Sequence, residues 1–225
     1  MTKMKLMTLL MCLTLVFGCK TKTGTGALIG TGGGAVLGAI VGKLAGNTAV
    51  GAAMGAAVGA GTGALIGKHM DKVAKQTADK VKNAKVEEVT DVNGLKAVKV
   101  TFDSGILFAT NKADLNQGSK NELAKFSQVL KENGDCHVDI YGFTDNTGND
   151  GINIPLSNNR AQSVVSYLRN CGVPSSQFQN VQGKGSSNPV ADNTTAAGRK
   201  QNRRVEVYLY ASQAMVNAAN NGTLK

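Results

Sequence analysis

Asp145 and Arg160 lie fifteen residues apart in one compact stretch. It runs Tyr141-Gly142-Phe143-Thr144-Asp145-Asn146-Thr147-Gly148, then Asn153, then Leu156-Ser157-Asn158-Asn159-Arg160-Ala161. That spacing predicts an anion at the end of a strand and a guanidinium in the first turn of the next helix. Such a pair can hold both ends of a zwitterion. A ligand ammonium suits the Asp145 carboxylate. A ligand carboxylate suits Arg160, whose planar fork binds it through two parallel hydrogen bonds. The helix N-terminus is expected to add donors and a favourable dipole for the same carboxylate. Asn153 is placed either to orient the loop or to donate to the ligand.

Other chemistries are thinly represented. His69 and His137 have no CxxC or HxxxH company, so no metal site is expected. No Ser-His-Asp or metal-water arrangement is legible, and the chain reads as non-enzymatic and without a cofactor. The net charge of +10 permits nucleic acid or anionic lipid as partners. No nucleic-acid motif appears, so a solvated basic surface is the expectation.

The elements that must position the pair begin near Val86. Two apolar runs, 86–90 and 95–102, flank Asp91-Val92-Asn93-Gly94, a hairpin signal. Residues 105–108 read as a short strand. Ser119-Lys120-Asn121-Glu122 has the form of a capping box. Leu123, Phe126, Val129 and Leu130 then share a helical face that Asn133-Gly134 ends. Residues 137–143 alternate as a strand. Ser157 is expected to cap a second helix with Ala161, Val164, Val165 and Leu168 on one face, ended by Asn170-Cys171-Gly172-Val173-Pro174. Residues 178–183 and 204–210 complete the strands. The order predicts an α/β two-layer sandwich, βαβαββ, with a mixed sheet and two helices.

Residues about 103–210 resemble the OmpA-like C-terminal domain, the peptidoglycan-associating module of Gram-negative envelopes. The resemblance rests on Gly142 to Gly148, Asn153, Leu156-Ser157 and Arg160-Ala161, then Gly183-Lys184-Gly185, Asn188-Pro189-Val190, Gly198-Arg199 and Asn202-Arg203-Arg204-Val205-Glu206. Phe143, Ile152 and Pro155 depart from the usual pattern, all at its rim. The resemblance implies that Asp145 and Arg160 bind the amino-acid head of meso-diaminopimelate in the stem peptide. It also implies that Arg204 lines the pocket's edge and that Thr144 and Gly148 shape the loop.

The preceding residues read as machinery for delivering that domain. Lys3 and Lys5 before an apolar run from Leu6 to Phe17 form a signal peptide over 1–18. Val16-Phe17-Gly18-Cys19 resembles the bacterial lipobox, which implies that Cys19 carries lipid at the head of a linker over 19–25. Lys20 favours the outer membrane. Between residues 26 and 67 fourteen glycines recur largely every four residues, along one stripe of each of two helices. The segment resembles the glycine-zipper domain of envelope lipoproteins. A helix so rich in glycine needs tight pairing, oligomerisation or lipid to form, since each glycine costs about 1 kcal/mol relative to alanine.

Residues 68–85 are rich in Lys and Ala and read as a basic helical stalk, 86–210 as the wall-binding domain, and 211–225 as a polar tail. Cys136 and Cys171 remain for an oxidising compartment, either as a disulfide or as two free, partly buried thiols. The expected partners are peptidoglycan, outer-membrane lipid and a second copy through the glycine-rich helices, with no nucleic acid. The expected function is a tether between outer membrane and wall, with the C-terminal domain in the periplasm. The alternative is a glycine-zipper membrane oligomer or channel in which the C-terminal domain is only an anchor.

Overall fold

The computed structural model describes residues 59–91, 93–103, 107–109 and 111–224. The expected signal peptide, Cys19 and nearly all of the glycine-zipper hairpin lie outside the described residues. The chain runs α1 (Ala60–Lys80), β1 (Ala84–Thr90), β2 (Lys96–Asp103), α2 (Gln117–Glu132), β3 (Cys136–Gly142), α3 (Asp150–Asn170), β4 (Phe178–Gly183), α4 (Ala196–Asn202), β5 (Arg204–Ala211) and α5 (Gln213–Asn220).

The strands form one five-stranded sheet ordered β1-β2-β5-β3-β4. All neighbours are antiparallel except β3 and β4, whose parallel pairing requires α3 as the crossover. The α/β layering and mixed sheet match the expectation, and α2 and α3 are the two helices anticipated. At the hairpin, the Asp91 carboxylate accepts from the amides of Asn93 at 2.8 Å and Leu95 at 2.9 Å. Gly94 takes φ +78°, which glycine adopts at no steric cost.

Alternation divides the sheet cleanly. Val98, Val100, Phe102, Val138, Ile140, Val205, Val207 and Leu209 face the helices in the main core. Ala97, Tyr141, Phe143 and Tyr208 form a second cluster on the opposite face. The strand tips nearest the candidate site carry glycine because a helix presses on them. A Cβ on Gly142 would lie 2.1 Å from the Ser157 carbonyl oxygen, and one on Gly183 would lie 2.2 Å from the Asn158 nitrogen.

Several element boundaries differ from the sequence reading. α2 is capped by Asn116, whose side chain accepts from the Ser119 amide, so Ser119 and Glu122 form no capping box. Ser119 lies inside the helix, and its hydroxyl donates to the Leu107 carbonyl. Phe108 makes an isolated bridge to Leu115; residues 105 and 106 of the short strand expected there lie outside the described residues. α3 begins at Asp150 with Asn149 as its cap, seven residues before Ser157. Gly151 and Pro155 disguise that first stretch; Pro155 is the sixth residue of α3, past its first turn, so it removes the bond an N–H there would make to the Gly151 carbonyl. Ser157 is buried within α3 and accepts from the Gly185 amide at 2.9 Å.

Residues 68–85 do not form a solvated stalk. α1 lies against β1, β2, α2 and α5, and Ile66, Met70, Val73 and Ala74 enter the main core. The spacing of these residues marks one apolar face, and its lysines occupy the other. Polar contacts reinforce the docking, including Lys80 to Glu132 at 2.8 Å and Thr62 to Asn220 at 2.7 Å. The polar tail is likewise structured: α5, capped by Ser212, buries Met215, Val216 and Ala219. Cys136 and Cys171 are free thiols, the first buried in the core and the second half-buried at the end of α3.

Ile66→Ala is expected to destabilise the domain by about 2–5 kcal/mol, read as a lower urea midpoint. A freely solvated helix at this position would leave the midpoint unchanged.

Candidate functional site

A cleft of about 680 Å³ opens beyond the C-terminal end of β3. It joins the loop after β3, one face of α3, the segment between β2 and α2, and the end of α4. Ile152, Leu156 and Arg160, spaced four apart, line it along α3. Thr144, Asp145 and Gly148 form one wall, Phe108 and Asn111 another, and Arg199 and Arg203 the rim.

Arg160 is only 3% exposed. Its Nε donates to the Lys112 carbonyl at 3.0 Å, and its guanidinium lies over the Phe108 ring, 5.2 Å from the centroid. Its Nη1 is buried and has no hydrogen-bond partner among the described residues. Burial pulls its pKa down, and the charge of Arg203 adds to that pull while Asp145 opposes it. The group stays charged, so one strong donor lacks an acceptor at the cleft. The buried Thr144 hydroxyl is also without a partner among the described residues.

Asp145 is engaged differently from the expectation. Arg203 Nη1 reaches its carboxylate at 2.5 Å, the Thr147 amide donates at 3.1 Å, and the Thr147 hydroxyl also bonds to it. Burial would raise the Asp145 pKa, but the bonds from Thr147 and Arg203 and the charge of Arg203 hold it below the ordinary value. Arg160 makes no ion pair with Asp145. Arg160, Arg199 and Arg203 line the same cleft as Asp145, which therefore carries an excess of positive charge.

Asn153 orients the loop: its Nδ2 donates to the Gly148 carbonyl at 2.8 Å and to the Asp145 carbonyl at 3.3 Å. Gly148 is required beside it, because a Cβ there would lie 2.8 Å from Asn153 Oδ1. Thr144 is tied to the next loop through its amide, which donates to the Gly185 carbonyl at 2.8 Å.

Two expectations are corrected. Arg160 is eleven residues into α3 rather than in its first turn, about 15 Å along the axis from the N-terminus. The helix dipole and terminal amides therefore do not converge with Arg160 on one carboxylate. Arg204 does not line the cleft. It is 3% exposed, with Nε donating to Glu206 at 2.7 Å, Nη1 to the Asn202 carbonyl and Nη2 to the Asn188 carbonyl. Its guanidinium lies 3.8 Å from the Phe143 ring centroid. As the first residue of β5 it shares a face with Glu206 and Tyr208, opposite the core residues Val205 and Val207. Arg203, the C-cap of α4, turns to the cleft instead.

Residues missed by sequence reasoning are Phe108, Asn111, Arg199 and Arg203. Arg199 and Arg203 stood inside quoted motifs, and strand alternation was the signal that separates Arg203 from Arg204. Asn111 adopts φ +56°, which is unusual outside glycine, but no spacing in the sequence points to it.

Residues 107–203 match the OmpA family, and residues 1–71 match the YMGG-like Gly-zipper. "Probable lipoprotein YiaD" of Escherichia coli is 36% identical over 144 residues, 64% of this chain and 64% of its own length. "Outer-membrane lipoprotein YfiB" of Pseudomonas aeruginosa is 43% identical over 110 residues, 49% of this chain and 65% of its own. "Peptidoglycan-binding protein ArfA" of Mycobacterium tuberculosis is 42% identical over 111 residues, 49% of this chain and 34% of its own. The match thus spans just under two thirds of the first two relatives. Among solved structures, the cell wall anchor of the T6SS from Pseudomonas aeruginosa superposes with TM-score 0.53 at 28% identity, covering 62% of this chain and 97% of that one. The periplasmic domain of Helicobacter pylori MotB shares the fold, with TM-score 0.52 at 22% identity, over 64% of this chain and 90% of that one.

The buried charges on the far face carry a stability prediction. Burial raises the Glu206 pKa, but Arg204, Lys99 and Tyr208 together hold it below the ordinary value. A depressed folded pKa means that its stabilisation is complete above about 4.3 and is lost as pH falls through the lower folded value. Glu206→Gln is expected to cost about 3–5 kcal/mol at neutral pH and to flatten the acid limb of stability below pH about 4. Urea unfolding across pH measures both, and an unchanged acid limb would contradict the assignment.

Proposed function

We propose that this chain, which carries an OmpA-family domain at residues 107–203 and a YMGG-like Gly-zipper region at residues 1–71, is a non-enzymatic outer-membrane lipoprotein. It tethers the membrane to peptidoglycan by holding the diaminopimelate head of a stem peptide. Cys19 carries the lipid, the glycine-rich residues that precede α1 pack at the membrane, and the C-terminal domain faces the wall in the periplasm. With α1 docked on the domain, the reach between lipid and wall falls to residues 20–59, which span at most about 140 Å.

The observation that carries this reading is the buried Arg160 guanidinium with an unpartnered Nη1 at the cleft. A ligand carboxylate satisfies that donor, and Thr144 lines the same cleft. The ligand's ammonium goes to Asp145, where it takes the place of Arg203, an internal cation already seated there. Phe108, Ile152 and Leu156 cover the methylenes that lead from that head to the rest of the stem peptide. Asn153 and Gly148 hold the loop that presents Asp145. The amino-acid head of diaminopimelate has both charges on one carbon. A lysine-type stem has a lone side-chain ammonium and leaves Arg160 unmatched.

Each charged hydrogen bond contributes about 1.5–3 kcal/mol, so one stem binds weakly. The wall presents many stems to a protein held at the membrane, and effective concentration turns weak contacts into durable attachment.

Arg160→Ala is expected to weaken binding to diaminopimelate-type sacculi roughly 10- to 150-fold while the fold survives. Asp145→Ala should weaken it as well, and lysine-type walls should bind the wild type poorly. Retained pull-down in both variants defeats the reading. Arg203→Ala should bind at least as tightly as the wild type, because Asp145 no longer has to exchange a partner. A loss matching that of Arg160→Ala would instead make Arg203 a direct ligand contact.

A further inference from the structure

The end of β3 remote from the cleft brings together four donor side chains that the sequence keeps far apart. His69 and Met70 are neighbours on α1, and Asp135 and Cys136 are neighbours at the start of β3. We propose that His69 and Cys136, completed by Asp135 for Zn(II) or by Met70 for Cu(I), bind one thiophilic d10 cation, which fastens α1 to the sheet. This inference is independent of the peptidoglycan reading.

The distances suit a small ion. His69 Nε2 lies 3.6 Å from Asp135 Oδ1, beyond an ordinary N–H···O hydrogen bond. The histidine, aspartate and cysteine donor atoms all lie within 4.8 Å of one another. Cys136 Sγ lies 4.0 Å from Met70 Sδ. Donors around a tetrahedral ion with bonds of about 2.0–2.3 Å stand about 3.3–3.8 Å apart. The His69, Asp135 and Cys136 donors therefore need to close by about 1–1.5 Å at most.

The donor chemistry selects the ion. Magnesium and calcium take oxygen ligands, whereas imidazole, thiolate and thioether suit Zn(II) and Cu(I). Zn(II) would use Cys136, His69 and Asp135, and Cu(I) would use the two sulfurs with the imidazole. Met70 and Cys136 are fully buried and form an apolar back wall. The side chains of His69 and Asp135 are 11% and 34% exposed and form the mouth. On binding, the Cys136 thiol releases its proton to solvent and the thiolate takes the ion. The ion would then bridge the helix that follows the glycine-rich segment to the second strand in from the β4 edge.

The test uses the full chain, reduced and stripped of metal. Cobalt(II) titration, as a stand-in for Zn(II), should give a sulfur-to-cobalt charge-transfer band that saturates at one ion per chain and disappears on adding Zn(II). A parallel arm measures competition for Cu(I) against a chromophoric chelator. Cys136→Ala and His69→Ala should each lose the uptake, with folding checked by far-UV circular dichroism. The ion should raise the melting temperature of the wild type but not of His69→Ala, whose side chain sits at the mouth. Dependence on Met70, tested with Met70→Leu, assigns Cu(I), and independence assigns Zn(II). Failure of the wild type to take up either ion saturably overturns the proposal. So does uptake that survives both Cys136→Ala and His69→Ala.

Discussion

A guanidinium buried to 3% exposure without a contacting counter-charge is the constraint around which the rest of the cleft is arranged. Removing such a group from water costs several kcal/mol unless its donors are satisfied. The Phe108 face and the Lys112 carbonyl offset part of that cost for Arg160. The remaining donor is left for something that enters the cleft. Holding Arg160 there requires α3 to lie against the strand tips, where Gly142 and Gly183 let backbone meet backbone. It also requires the loop after β3 to fold back over α3, which Asn153 secures through two carbonyls.

Charge is partitioned by the two faces of the sheet. Arg204 and Glu206 neutralise each other behind it, together with Lys99 and Tyr208. Arg203, one residue earlier, escapes the strand and pairs with Asp145. Adjacent arginines thus serve opposite purposes, one closing the far face and the other shielding the cleft's carboxylate. With Arg199 also at the rim, the cleft attracts a carboxylate-bearing ligand before any specific contact forms.

Much of this was legible in the residues. The period-two runs located the strands, and Leu123, Phe126, Val129 and Leu130 located α2. The ordered motif from Gly142 to Glu206 identified the domain and drew Asp145, Arg160 and Asn153 into one site. The rest depended on tertiary contacts. Ser157 has the look of a cap, but Asn149 performs that role and Ser157 is consumed by Gly185. The lysines of residues 68–85 suggested a basic helical stalk, while Ile66, Met70 and Val73 determined that the helix docks. The 211–225 segment looked polar because only Met215, Val216 and Ala219 of its helix reach the core. His69 carried no motif because its neighbours Asp135 and Cys136 come from a distant strand.

The most direct test of the central claim follows the Arg160 side chain itself. Nitrogen-15 NMR of the Arg160 guanidinium during titration with free meso-diaminopimelate should show its Nε resonance and the Thr144 amide shifting together, with one saturable dissociation constant, and Nα-acetyl-L-lysine amide, whose only charge is its side-chain ammonium, should not reproduce the shift. Saturable binding that leaves the Arg160 resonance in place, or an Arg160 response that the blocked lysine matches, would contradict the account.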